Sequence, residues 1–212
     1  MSSYYFSGIP SFHIEKLRAV RDSYDNLLNI LQIAEMVNCC SHCRSEESTN
    51  FDFAIFIGSF SRVLIKKENG YFTMTLPFQI IDYGDNILFN YDNYNLPVHA
   101  EFISIMRNSI EACRDYGYSH EDIISSLCDN FNIDMRESVN YCDVFTSLLT
   151  EDHGYFRFDD DLQNERGRIH PRYHFDFFYK NSTSIKIGID ECIDASYFFG
   201  LFDKDMEKPY LT

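Results

Sequence analysis

Tryptophan is absent, basic residues are few, and no run of apolar residues approaches the roughly 20 that a membrane-spanning helix needs. Only 18 Lys and Arg stand against 33 Asp and Glu, a formal net charge of −15 over 212 residues. That balance argues against broad, unaided binding of nucleic acid, whose phosphates an acidic body repels. Glycine-rich phosphate loops are missing too: there is no G-x-G-x-x-G and no Walker lysine, and the serines after Gly58 (Gly58-Ser59-Phe60-Ser61) follow neither pattern. A G-x-S-x-G nucleophile elbow is also lacking. No internal repeat, low-complexity block or Gly/Ser-rich linker interrupts the chain, which favours one domain over residues 1–212. Met1–Gly8 has neither the basic start nor the apolar run of a secretory leader. The seven cysteines are odd in number and irregularly spaced, as free thiols in a reducing cytoplasm would be.

What is present is apolar and aromatic. Hydrophobic residues make up 45% of the chain, with 20 Phe and 15 Tyr, enough to bury a substantial core. The acidity is uneven. Residues 1–45 are net 0, residues 46–150 net −10 and residues 151–212 net −5, and Arg157, Arg166, Arg168 and Arg172 fall within sixteen positions. One anionic ligand or partner could therefore be met locally.

Hydrophobic periodicity predicts an α+β fold of antiparallel strands, a long N-terminal helix and a central three-helix segment. Leu17, Val20, Tyr24, Leu27, Leu31 and Ala34 recur at helical spacing and predict one helix over 11–38, opened by Pro10 and Ser11. Strands follow over 51–91, with Asn69-Gly70 and Asp85-Asn86 as turns and Pro77 marking an edge or bulge. Three helices are expected over 96–149. Asn95 and Pro97 open the first, Ser119 with Asp122 caps the second, and the third buries Met135, Val139, Cys142 and Phe145. Strands return over 155–202, the last of them at 195–202.

The tract YFRFDDDLQNERGRIHPRYHFDFFYKNSTSIKIGI, residues 155–189, is the most informative. Alternation puts Phe156, Phe158, Phe175, Phe177, Ile185 and Ile187 on one face. The other face receives Tyr155, Arg157, Asp159, His174, Asp176, Ser184 and Lys186, and the loop adds His170, Arg168 and Arg172. The Asn181-to-Thr183 connection is short enough for a hairpin. Pro171 disfavours helix at His170, so the two histidines are not the helical pair of a zinc protease. Three roles suit this set. His170 and His174 could serve as acid and base, with Asp176 or Asp159 fixing a tautomer. Arg157, Arg168, Arg172 and Lys186 could hold an anion. His170, His174 and Asp176 could hold a divalent metal, the one cofactor these residues admit; otherwise none is expected. The plain alternative is a solvated sheet face. Cys39, Cys40, His42 and Cys43 look like half of a zinc site without its second half, so free thiols are expected there. His13, His99, His120 and His153 are isolated and are expected at the surface or at helix ends.

The tract Y-F-R-F-D … H-P-R-Y-H-F-D-F-F-Y … S-I-K-I-G-I resembles a family of small bacterial proteins of unknown function, encoded in accessory or mobile regions and sometimes near phage-defence genes. The resemblance covers Tyr155–Ile189 and brings no catalytic assignment. It implies a bacterial cytoplasmic protein acting beside a larger ATPase or nuclease. The expected function is thus an accessory or binding subunit of an antiviral-defence-type complex with a protein partner. The alternative is a small phosphodiester- or nucleotide-directed hydrolase using His170, His174, Asp176 and Arg157.

Overall fold

The computed structural model describes residues 2–58, 61–84, 86–178 and 185–209. Ser59 of the Gly58 turn, Asp85 of the Asp85-Asn86 turn, Ser184 and the Asn181-to-Thr183 connection lie outside them. In chain order the elements are β1 (Ser2–Phe6), α1 (Ser11–Glu15), α2 (Ser23–Cys39), β2 (Arg44–Ser45), β3 (Phe53–Ile57), β4 (Arg62–Lys67) and β5 (Gly70–Thr75). Then come β6 (Gln79–Asp82), β7 (Ile87–Tyr91), β8 (Leu96–Pro97), α3 (Ala100–Tyr116), α4 (His120–Phe131) and α5 (Met135–Thr150). The last are β9 (Phe156–Asp160), β10 (Tyr173–Phe177), β11 (Ile185–Gly188) and α6 (Ala195–Phe202). The fold class is α+β, as the periodicity predicts.

By packing, the chain divides into two compact units: Met1–Ile9 with Cys43–Leu76 and Asp152–Thr212, and Pro10–His42 with Pro77–Glu151. Chain crossings of this kind need no flexible linker, which is the composition signal from which domains are counted.

The first unit is built on an eight-stranded antiparallel sheet in the order β11-β10-β9-β5-β4-β3-β1-β2. The two groups of strands therefore join in one sheet, where Thr73 of β5 pairs with Phe156 of β9. Gly70 makes that junction possible. Its φ is +150°, and a Cβ there would lie 2.0 Å from the Phe158 carbonyl oxygen. One face of the sheet carries Ala54, Phe56, Leu64, Phe158 and Phe175, packed around Phe198 of α6. Burying a Phe of this kind is worth roughly 1.5–3 kcal/mol. Arg62 closes the end of this layer. Its guanidinium sits over Phe156 and Phe202 at 5.5 and 5.6 Å and donates to the Gly154 carbonyl at 3.0 Å.

The expected strand at 195–202 is a helix. Its largely apolar composition suits either state, and Asp194 decides the matter by accepting from the Ser196 N–H at 2.9 Å as an N-cap. Sequence patterning also misses β1, which pairs with β3 along its whole length.

The second unit holds α1 to α5 and a three-stranded sheet, β6-β7-β8. The long N-terminal helix is broken: Asp22 is extended and caps α2 by accepting from Asp25 N–H at 2.8 Å. Residues on nearly every side of α2 are buried, including Asn29 and Gln32. Asn29 is satisfied by the backbone of Arg18, accepting at 3.0 Å and donating at 2.8 Å. Gln32 donates to His13 Nδ1 at 3.1 Å and accepts from Arg107, which also pairs with Glu35 at 2.7 Å. Burial pulls the Glu35 carboxyl upward, but its hydrogen bond and charge contact with Arg107 hold it below the usual range.

The three central helices form as read, with corrections at their edges. The Ser119 hydroxyl accepts from Asp122 N–H, as the capping pattern predicts. The first of them opens at Ala100, capped by His99, because Leu96–Pro97 is spent on β8. Met135 and Val139 are exposed, Met135 by 70%; the inward stripe of α5 runs instead through Ser138, Cys142, Phe145 and Leu148.

Candidate functional site

The alternation read from the tract is the observed one: β10 pairs Asp176 with Arg157 on one side and with Lys186 on the other. One turn of the pleat away, His174 faces Asp159 and Gly188. Arg157, Asp159, His174, Asp176 and Lys186 thus share one face, opposite the Phe198 layer. Tyr155, expected on that face at the surface, is buried at the strand entry.

The side chains meet closely. Arg157 Nε donates to Asp159 Oδ2 at 2.7 Å and its Nη2 to Asp176 Oδ2 at 2.6 Å. Lys186 Nζ lies 3.2 Å from Asp176 Oδ1 and 2.5 Å from His174 Nε2. Asp176 Oδ1 is shielded from solvent, and its ion pair with Lys186 falls short of hydrogen-bond geometry. Burial alone would lower the Arg157 pKa, but the charges of Asp159 and Asp176 outweigh it and hold the guanidinium above its usual range.

His174 is wholly buried on what should be the wet face, at 0% exposure. Gly188 explains how. A Cβ there would come within 2.6 Å of Pro171 Cγ, so the missing side chain leaves room for the proline ring to lie over the strands. The carbonyl of the same proline stands 2.8 Å from His174 Nδ1. A carbonyl only accepts and an ammonium only donates, so Nδ1 donates to Pro171 and Nε2 accepts from Lys186, with Asp159 and Asp176 alongside. Nε2 is 3.5 Å from Asp159 Oδ2 and 3.8 Å from Asp176 Oδ2.

Three expected members stand aside. His170 points to Asp161, with Nε2 to Oδ2 at 3.1 Å, and meets His174 only edge to face at 5.1 Å between ring centres. The metal set His170, His174 and Asp176 is therefore not assembled. Among the described residues, the group that brings three potential metal-ligand residues together is Asp159, His174 and Asp176. Arg172 makes a two-pronged pair with Asp160, at 2.6 and 3.1 Å. Asp160 follows the alternation onto the Phe158 side, which takes Arg172 out of the cluster. The Arg172 hydrogen bonds hold the Asp160 carboxyl below its ordinary value. Arg168 is exposed, beside a shallow groove lined by Pro171, Arg172 and Gly188.

Sequence reasoning missed Gly188 and the roofing role of Pro171. The usable signal was a glycine at an outward strand position directly opposite a histidine. At the other candidate, Cys39 is exposed while Cys40 and Cys43 are buried, and no disulfide forms among the seven cysteines. His13 is buried but lies in the last turn of α1, His99 and His120 stand at helix starts, and His153 is buried outside any helix.

No family model, curated protein or solved structure matches this chain. Among the described residues, no helix is long and apolar enough to cross a membrane.

Proposed function

We propose that the chain is a binding subunit of a bacterial complex of the antiviral-defence type, and that the loop between β9 and β10 contacts its protein partner. The observation that carries this reading is the construction of that loop. Its base is tied by Asp161 N–H to the Arg172 carbonyl and by Arg166 N–H to the His170 carbonyl, both at 2.8 Å. Ion pairs from Arg172 and His170 brace it further. At its tip Ile169 is 89% exposed and follows exposed Arg166 and Arg168 in the chain, and Leu162 of the same loop is exposed too. A backbone already ordered loses little entropy on docking, and an exposed apolar residue in an arginine-bearing loop suits a partner with an apolar pocket rimmed by carboxylates. The bacterial, cytoplasmic and defence context comes from the family resemblance of this tract.

The hydrolase reading has the meeting of His174 and Asp176 in its favour. Against it, His174 is wholly buried, and Arg157 and Lys186 are already committed to the cluster's own carboxylates. The test is purification of the tagged chain from its native host, with complex mass measured by light scattering. Wild type should hold a protein partner at fixed stoichiometry, and Ile169→Asp with Arg168→Glu should lose it while remaining folded. Turnover of a phosphodiester or nucleotide by the purified chain, abolished in Asp176→Asn, would replace this reading with the enzyme.

A further inference from the structure

The geometry points to a divalent-cation site made by Asp159, His174 and Asp176, in which the Lys186 ammonium is the resident counter-ion that the metal displaces. We infer this from the donor geometry and the local charge, and it does not rest on the binding-subunit reading.

Three features of the cluster are those of a metal site. First, the histidine is pre-set: its Nδ1–H is held by the Pro171 carbonyl, the usual second partner of a ligating imidazole, and its Nε2 faces inward. Second, the donors are suitably spaced. Donors around a tetrahedral zinc at ~2.0–2.1 Å stand roughly 3.4 Å apart; His174 Nε2 lies 3.5 Å from Asp159 Oδ2 and 3.8 Å from Asp176 Oδ2. Third, a positive charge already occupies this place. Lys186 Nζ sits against His174 Nε2 and both oxygens of Asp176, at 2.5, 3.2 and 3.4 Å. Arg157 need not leave. Each carboxylate oxygen has two lone pairs, so Asp159 Oδ2 and Asp176 Oδ2 could accept from the guanidinium and still face a metal.

Charge sets the affinity. Two carboxylates are balanced by Arg157 and Lys186, so the cluster is neutral as it stands, and an incoming dication must expel the ammonium. Lys186 is partly exposed and has a flexible stem that can carry its head to water. The vacated position would leave three protein donors and one open place at the ion. Removing the ammonium should leave the site net negative and raise its affinity.

The probe is zinc chloride with the full chain in a thiol-free reductant, read by titration calorimetry and by X-ray absorption at the zinc edge. Lys186→Met keeps the stem and removes the charge. It should bind one zinc per chain at least tenfold more tightly than wild type, through a shell of nitrogen and oxygen. Asp159→Asn and Asp176→Asn, each placed on the Lys186→Met background and checked for folding by circular dichroism, should weaken binding at least tenfold. Absence of zinc from Lys186→Met overturns the proposal. So does a sulfur shell, which would move the metal to Cys39 and its neighbours. If the Asn variants fail to fold, the stoichiometry and shell of Lys186→Met still decide.

Discussion

Followed along one row of paired residues, a single face of the large sheet changes from Phe6, Phe53, Ile65 and Phe72 to Arg157, Asp176 and Lys186. The apolar part is completely buried, and the change falls at the pairing of Phe72 with Arg157. Backbone hydrogen bonding is the same on both sides of that boundary. The side chains hold by different means: the apolar residues by area removed from water, which depends little on direction, and the ionic residues by directed contacts, each needing its own partner. The apolar end should therefore dominate stability, while the ionic end should dominate specificity.

The largest effect expected is at the apolar end. Phe53→Ala removes a fully buried ring stacked on Phe6 at 4.4 Å between centres and should cost about 3–5 kcal/mol in urea unfolding. At the ionic end, Asp176→Ala strands the two cations it joins. Because both are partly open to water, the loss should be smaller, about 1–2 kcal/mol. Extending the apolar row across the boundary is the sharper comparison. Arg157→Met with Asp159→Asn, Asp176→Leu and Lys186→Met removes every charge of the cluster at once, including the carboxylate that Arg157 also holds, and should leave stability within about 1 kcal/mol of wild type, since no ion is left unpaired. A loss as large as that of Phe53→Ala would mean that the ionic contacts carry the fold.

The smallest effect is in acid. Arg172 holds the Asp160 carboxyl below its ordinary 3.8, so the folded chain gives up this proton more readily than the unfolded one. The resulting stability is complete above about pH 4 and drains as pH falls through the lower folded value. The urea midpoints of wild type and Arg172→Met should therefore differ at pH 5 and converge toward pH 2. A gap that persists in acid would assign the role of Arg172 to its packing over Tyr173 instead.

Where local periodicity was strong, the fold could be read from the residues. The stripes of α3 and α4 and the alternation of β9 and β10 emerge with the faces they were expected to have, because burying one face leaves a strand only one workable register; β11 keeps the alternation, but at the sheet edge Ile185 of its expected core face is 43% exposed. What could not be read depended on contacts distant in sequence. The break between α1 and α2 turns on Asp22 acting as a cap inside an otherwise unbroken stripe. At 195–202 a largely apolar run hid the helix. His174 was legible as a cluster member, but its burial depends on Pro171 lying over Gly188, and nothing local to either residue announces that. His170 was drawn into the site by its spacing and taken out by Asp161, which a loop brings near.

The pairing of β5 with β9 has a consequence for synthesis. Thr73 must wait for Phe156, eighty-three positions later, so the edge of β5 emerges from the ribosome long before the strand that covers it. Meanwhile it offers open amide and carbonyl groups beside apolar side chains, the surface on which nascent chains stick to one another. Folding of this sheet should be slow for its size and sensitive to crowding by sister chains, because three of its eight strands are delivered only after the helical insertion has been made.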